Sequence, residues 1–565
     1  MHDVVIRGGM VVDGTRSPAR TADVALDGDR ITDVGRVAAP GRRELDADGL
    51  VVTPGWVDIH THYDGQATWD PEVTPSSWHG VTTVVMGNCG VGFAPVRPGA
   101  ESFLIELMEG VEDIPGTALH EGIDWAWSSF PQYLDALEAT PRALDVAAQV
   151  PHGALRAYVM GERAHDADAT DDDLIEMARL TEEALAAGAV GVTTSRTILH
   201  RSRHGLVPGT EAAPDELLAL ADAVGRAGHG VFEIVSDHQG GEQDRAWLVD
   251  FVRRSGAPAT YALAQAPYAP TAYRDALGAA ERDHAEGVPI VPQVACRPTG
   301  MLFGLESSLH PFIAHPTYRA VAGLPLAERV ERLRRPEMRA ALLAEEPATE
   351  SVVARVLMSR WGQIFPLGNP PDYEPPQSAS VAAVAERQGR QPEDVVLDWL
   401  LERGGHALLF APLTSYVDYD LEAVRELMTH PRSVLGLSDG GAHCGLICDA
   451  SMPTFLLTHW VRDRARGPRL GLEEAVSLQT AATARLYGLD DRGVLAPGKR
   501  ADINLIDLEG LHLDAPEMVF DLPAGGRRLV QRADGYVATL VAGRVTAQGG
   551  EPTGSRPGRL VRMGT

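Results

Sequence analysis

The sequence predicts an α/β fold in three parts: a parallel β/α barrel, a small β-sandwich built from both chain termini, and a helical insertion over the barrel mouth. Three observations carry this. Short β-like runs broken by glycine-containing turns occupy both ends of the 565-residue chain. Between them, β-prone apolar runs alternate with amphipathic helical stretches, the rhythm of strands feeding crossover helices. One segment, 300–387, leaves that rhythm.

At the N-terminus, Val4-Val5-Ile6, Val11-Val12, Val24-Ala25-Leu26 and Ile31-Thr32-Asp33-Val34 are separated by Gly8-Gly9, Asp13-Gly14 and Asp27-Gly28-Asp29, which is hairpin grammar. The grammar returns at Ala501–Ile506 and Gly535–Val545. The middle offers strands at 51–59, 82–88, 145–151, 189–195, 230–236, 259–265, 289–295, 408–412 and 434–439, nine runs for the eight places of a TIM-like (β/α)8 barrel. Helices at Asp171–Ala187 and Pro214–Ala227 carry apolar residues at 3–4 spacing. Within the insertion, helical patterns at Leu324–Leu333, Glu337–Glu345 and Thr349–Trp361 lead into the proline-rich loop Pro366–Pro376. So long an excursion between barrel elements reads as a lid. The boundaries are 1–50 and 481–565 for the sandwich and 51–480 for the barrel.

Net charge is −28 with a pI near 5.1, which argues against nucleic-acid or anionic-membrane partners. The four cysteines, Cys89, Cys296, Cys444 and Cys448, are too few for a disulfide framework. No basic leader with an apolar core and no apolar run of membrane length is present, so a cytoplasmic protein is expected. Lys499 is the single lysine.

The sharpest local signal is Asp58-Ile59-His60-Thr61-His62 at the end of the first strand. Residues i and i+2 of a strand share a face, so both imidazoles aim at one point, half of a zinc-type site. Reading the other strand ends gives Asn88-Cys89-Gly90, Pro151-His152-Gly153, Thr193-Thr194-Ser195-Arg196 and Leu437-Ser438-Asp439-Gly440-Gly441-Ala442-His443. Once a barrel closes, the first and last strands are neighbours, which puts Asp439 beside the histidine pair as a carboxylate able to take a proton from water.

These residues resemble the amidohydrolase superfamily and, within it, the D-aminoacylase (N-acyl-D-amino-acid deacylase) family. The resemblance runs through Gly55–Asp64, Gly80–Gly90, His152-Gly153-Ala154-Leu155-Arg156 with Val159-Met160-Gly161, Ser438-Asp439-Gly440 and Gly493–Ile503. It implies that His60, His62 and Cys89 ligate metal, that Asp439 joins them and is the catalytic base, and that the reaction is hydrolysis of an amide in a small N-acyl-D-amino acid. One Zn²⁺ per chain is expected. The sequence departs from the family at the fifth and sixth strands, where Val231–Asp237 and Ala259–Gln265 hold no histidine. With Lys499 outside the barrel, a carbamylated lysine is also closed. The site is then either reduced to His60, His62, Cys89 and Asp439 or completed by Asp237, His238, Glu233 or His152. Arg196, Arg201 and Arg297 are expected to clamp the substrate carboxylate, and His443 to orient a carbonyl or support the metal. Asp449 is read as decorating the following helix, and Cys444 and Cys448 as one turn of that helix. Hydrolysis of a cyclic amide and a metal-depleted binding protein are the rival readings.

Overall fold

The computed structural model describes residues 1–165, 167–349 and 352–564. Both termini pair into one nine-stranded sheet. Its spatial order runs Glu551–Pro552, Arg544–Gln548, Tyr536–Val541, Ile503–Ile506, Val51–Pro54, His2–Val11, Arg20–Asp27 and Arg30–Gly35, with Gly41–Asp46 alongside His2–Val11. Register follows the apolar alternation. Val4 faces Leu26 and Ile6 faces Val24, and these residues share a buried cluster with Val52, Ile503, Leu505 and Leu540.

Eight parallel strands follow in chain order. They are Trp56–Asp58, Val81–Met86, Asp145–Ala148 continued by Val150–Pro151, Gly191–Arg196, Val231–Ser236, Ala259–Ala262, Ile290–Val294 and Val434–Leu435. Past their ends, Thr61 bridges Gly440 in parallel, and the His62 amide donates to the Gly440 carbonyl at 2.7 Å, tying first strand to last. Every residue of Val81–Met86 is buried, as expected for a strand covered on both faces.

The run expected as one strand over 51–59 is two. Val51–Pro54 pairs with Ile503–Ile506 in the terminal sheet, and Trp56–Asp58 opens the parallel set. Gly55 is the crossing point, where a Cβ would collide with the Thr82 side chain. The surplus run at 408–412 also finds its place. Leu409–Pro412 pairs antiparallel with Gly300–Phe303 and Phe365–Pro366. The period-2 alternation of this small sheet separates two cores: Met301, Phe303, Leu409 and Ala411 face the insertion's own cluster, and Leu302, Phe365 and Phe410 face the main one.

The insertion therefore reaches Ala411, beyond the expected limit at 387. Helices Leu326–Leu333, Pro336–Ala344, Val352–Met358, Val381–Gln388 and Pro392–Leu400 build it, with Val330, Leu333, Leu342, Val396 and Leu400 in its core. Residues 350 and 351 of the helix expected at Thr349–Trp361 lie outside the described residues. No helix among the described residues is long and apolar enough to cross a membrane.

One buried ion network joins the parallel strands to the C-terminal segment. Asp145 is fully buried and accepts from Arg492 Nη1, Arg500 Nη2 and the Arg559 amide at 2.8, 2.8 and 2.9 Å. Removing the shared carboxylate leaves two buried guanidiniums short of their central counter-ion, with Asp491 remaining to Arg492 and Asp29 and Asp502 to Arg500. Asp145→Ala is expected to cost about 3–5 kcal/mol, read as a lower urea midpoint, and an unchanged midpoint would contradict this role.

Candidate metal centre

His60 and His62 leave the first parallel strand side by side, both 1% exposed, with ring centroids 5.5 Å apart and edge-on. The strand end is pinned from two sides. The His60 amide donates to Asp58 Oδ1 at 3.3 Å, and the Ser438 hydroxyl donates to Asp58 Oδ2. His60 Nδ1 lies 2.6 Å from Gln293 Oε1 on the seventh strand, so it carries the proton and Nε2 is left as the free donor atom. That Nε2 lies 3.5 Å from Cys89 Sγ and 3.4 Å from Asp439 Oδ1. His62 Nε2 lies 3.7 Å from the same Asp439 oxygen. Neither ring nitrogen of His62 has a hydrogen-bond partner, although both are buried.

Cys89 reaches this point through a turn that explains the whole Asn-Cys-Gly element. Cys89 has φ 57° between Gly87 at 84° and Gly90 at 69°, all left-handed. Asn88 holds the turn: Nδ2 donates to the Thr61 and Val85 carbonyls at 3.0 Å each, and Oδ1 accepts from Gln149 at 2.9 Å. The Cys89 amide donates to Glu233 Oε2 at 3.1 Å, and a Cβ at Gly90 would press on the Ser195 amide at 2.8 Å. Leu437, Asp439 and His443 are also left-handed non-glycine residues, at φ 60°, 48° and 51°. Such backbone strain gathered on one loop marks a functional site.

Ligand atoms of His60, His62 and Cys89 lie within 4.8 Å of one another. Burial holds His60 down at about 4. Burial also opposes charge on His62, but Glu112, Asp439 and Asp64 outweigh it and lift that ring to about 9. Burial works against the Asp439 carboxylate too, yet its imidazole neighbours His62, His60 and His443 keep it well below the usual range. The Cys89 thiol is pushed far up by burial and then by Glu112, Glu233, Asp439 and Asp64. A thiol among carboxylates becomes a thiolate only if a cation joins it. Orphaned imidazole nitrogens, one thiol and an ionised carboxylate form the N/S/O donor set of a divalent ion such as Zn²⁺, so the residues fit the metal.

The remaining expected residues fall elsewhere. His152 has both nitrogens engaged, Nε2 with Glu216 at 2.8 Å and Nδ1 with Thr194 at 2.9 Å, and Arg156 pairs with the same Glu216. The His-Gly-x-x-Arg element is thus a buried scaffold, which corrects the idea of His152 as a ligand. Asp237 fastens one loop to another by accepting from Thr197 Oγ1 and the Ile198 amide at 2.6 and 2.9 Å. His238 and Asp237 face a separate cavity of about 960 Å³ between helices Glu242–Ser255 and Ala272–Ala285.

Arg297 is buried, donates to Asp449 and the Cys448 carbonyl at 2.8 and 2.6 Å, and lies 4.1 Å over the Tyr373 ring. Arg297 therefore has a structural task, and Asp449 is its buried counter-ion, not surface decoration. Arg196 donates to the Ala212 carbonyl at 2.9 Å and stacks 5.7 Å over Trp247. Arg201 sits exposed on the hairpin Arg201–Ser202/Gly205–Leu206. His443 borders the centre, 3.6 Å from Glu112.

Four residues around the centre escaped the sequence reading as site residues: Glu112, Gln293, Asp64 and His200. Asp64 accepts the Gly87 amide at 3.1 Å, and His200 is held by Ser195 Oγ at 2.9 Å. Glu112 ends an amphipathic helix and Gln293 sits within an apolar run, so neither carries a periodic signal.

Cys89→Ser is expected to weaken divalent-metal affinity by more than the roughly 10–100-fold that loss of a supporting partner costs, measured by chelator competition. Cys444→Ser, buried outside the cluster, is expected to keep native affinity. Equal affinity in the two variants would remove Cys89 from the ligand set.

The centre and its surroundings can be set against known proteins. The amidohydrolase family model matches residues 43–547. A D-aminoacylase of Alcaligenes xylosoxydans xylosoxydans is 27% identical, covering 99% of this chain and 97% of that protein. An N-acyl-D-aspartate deacylase of the same organism is 28% identical over 100% of this chain and 95% of its own. A solved D-aminoacylase, described by a binuclear metal centre with one-metal activation and second-metal attenuation, matches all of both chains at 25% identity and a TM-score of 0.67. The family match takes in the histidine pair, Cys89, Asp439 and the return to the terminal sheet, and so the chain belongs to the amidohydrolase family.

Proposed function

We propose that the chain is a metal-dependent hydrolase of the amide bond in small N-acyl-D-amino acids. The observation that carries this reading is the convergence of His60, His62 and Cys89 on a point beside the ionised Asp439. The deacylase names of the relatives that cover the chain end to end support the substrate class. We read the eight parallel strands as a closed (β/α)8 barrel whose C-terminal mouth holds the site, with the terminal sheet as a second unit. The insertion is read as a lid, since Ser308 binds Asp113 and Leu302 binds Leu446, a few residues past Asp439.

His60, His62 and Cys89, with Asp439, would hold one Zn²⁺, and the ion would supply Lewis acidity to water and to the scissile carbonyl. The residues of the chain do the rest. Gln293 and Asp58 fix His60, and Asn88 and Glu233 fix the turn of Cys89. Asp439 is ionised at neutral pH and accepts the proton of the attacking water. As the C–N bond breaks, that proton passes to the amine nitrogen, giving a carboxylic acid and an amine, and the acid proton then ionises to leave a carboxylate and an ammonium. Burial of both imidazoles keeps bulk water out of the reaction. Arg201, exposed on its hairpin, and His443, 24% exposed in its side chain, are our candidates to meet the substrate carboxylate.

Asp439→Asn keeps size and removes the basic carboxylate. Turnover of N-acyl-D-amino acids is expected to fall by at least about 10²–10⁴ with the thermal midpoint retained. Near-normal kcat with unchanged metal content would move the base to His443.

A further inference from the structure

We propose that Glu112, the last residue of helix Glu101–Glu112, is a positioning residue that sets the His62 ring for cation binding and ties His443 to the same carboxylate. Its place is costly on two counts. A carboxylate at a helix C-terminus meets the negative end of the helix dipole. Glu112 is also 1% exposed, and an isolated buried charge is strongly unfavourable. Among the described residues no arginine pairs with it, and its ion-pair neighbours are His62 and His443. A side chain that breaks two rules of stability at once, beside a metal centre, is retained for what it does there.

The geometry says what that is. Glu112 Oε1 lies 3.4 Å from His62 Nδ1, and neither atom has a hydrogen-bond partner. Glu112 Oε2 lies 3.6 Å from His443 Nε2, while the His443 amide donates to the Glu112 carbonyl. A carboxylate beside Nδ1 holds the proton there, leaves Nε2 as the lone-pair donor, and makes that nitrogen more basic. His62 Nε2 is the nitrogen that faces Asp439 Oδ1.

The next residue keeps this corner in place. Asp113 accepts from Ser308 Oγ of the insertion at 2.9 Å and from the Gly445 amide at 3.1 Å, and a Cβ at Gly445 would collide with Ser308. Glu112 thus stands on a helix end clamped to the Asp439–Gly445 loop, and its distance to His62 is set by packing.

The inference rests on the metal-site reading and is tested without substrate, so its failure leaves the amidase reading standing. Zinc affinity is measured by chelator competition for the native chain, Glu112→Gln and Glu112→Asp. Gln removes the charge while keeping an acceptor oxygen, and Asp keeps the charge but withdraws it by one methylene. Each variant that folds is expected to bind zinc about 10–100-fold more weakly. A purely structural role would lower the melting temperature of the metal-free protein and leave affinity within about twofold, well below the 10–100-fold of a lost supporting partner. That result in either variant would overturn the proposal. Should Glu112→Gln fail to fold, Glu112→Asp still reads the same quantity.

Discussion

Asp58 receives the Ser438 hydroxyl on one carboxylate oxygen and the His60 amide on the other, across a sequence separation of 380 residues. With the Thr61–Gly440 bridge and the Asp439 amide donating to the His60 carbonyl at 3.1 Å, it forms the seam between first and last parallel strands. The proposed ligands at one strand end and the proposed base at the other meet because this seam is closed. The seam is itself demanding. Burial lifts the Asp58 carboxyl to about 7, against the hydrogen bonds from Ser438 and His60 that hold it down. A carboxylate so placed depends on those donors, which couples local stability to the register of the strands that carry the site.

Around the seam the chain concentrates acids where burial penalises them. Asp58, Asp64 and Glu233 are all raised, first by burial, and the Cys89 thiol is raised well above its ordinary value. Two histidines with orphaned or singly held nitrogens stand among them. Such a cluster holds more acids than the raised His62 ring can offset, and a divalent ion would redress the imbalance. Glu233, on the fifth strand, supports Cys89 through its amide at 3.1 Å instead of offering an imidazole.

Much of this was legible in the sequence because it is periodic or punctuated. Eight of the nine β-prone runs contribute to the parallel strands, and His60 and His62 share a face because strands alternate. The division at Gly55 is not legible in the run 51–59, since an apolar run does not say which sheet it joins. Leu409–Pro412 misled for the same reason: its alternation serves two cores at once. Arg297 and His152 look functional because each follows the end of an expected barrel strand. Their partners, Asp449 and Glu216, come from distant segments that no local pattern connects. Glu112 and Gln293 were invisible because a lone polar residue on a helix end or within an apolar run carries no signal until its neighbours are known.

The central claim is a single metal centre made by His60, His62, Cys89 and Asp439 that drives amide hydrolysis. It is tested most directly by stripping the protein with chelator and titrating zinc back while following release of free amine from an N-acyl-D-amino acid. The account expects a silent stripped protein and activity that reaches its maximum at one zinc per chain. Full activity without metal, or a maximum reached only at two ions per chain, would contradict it.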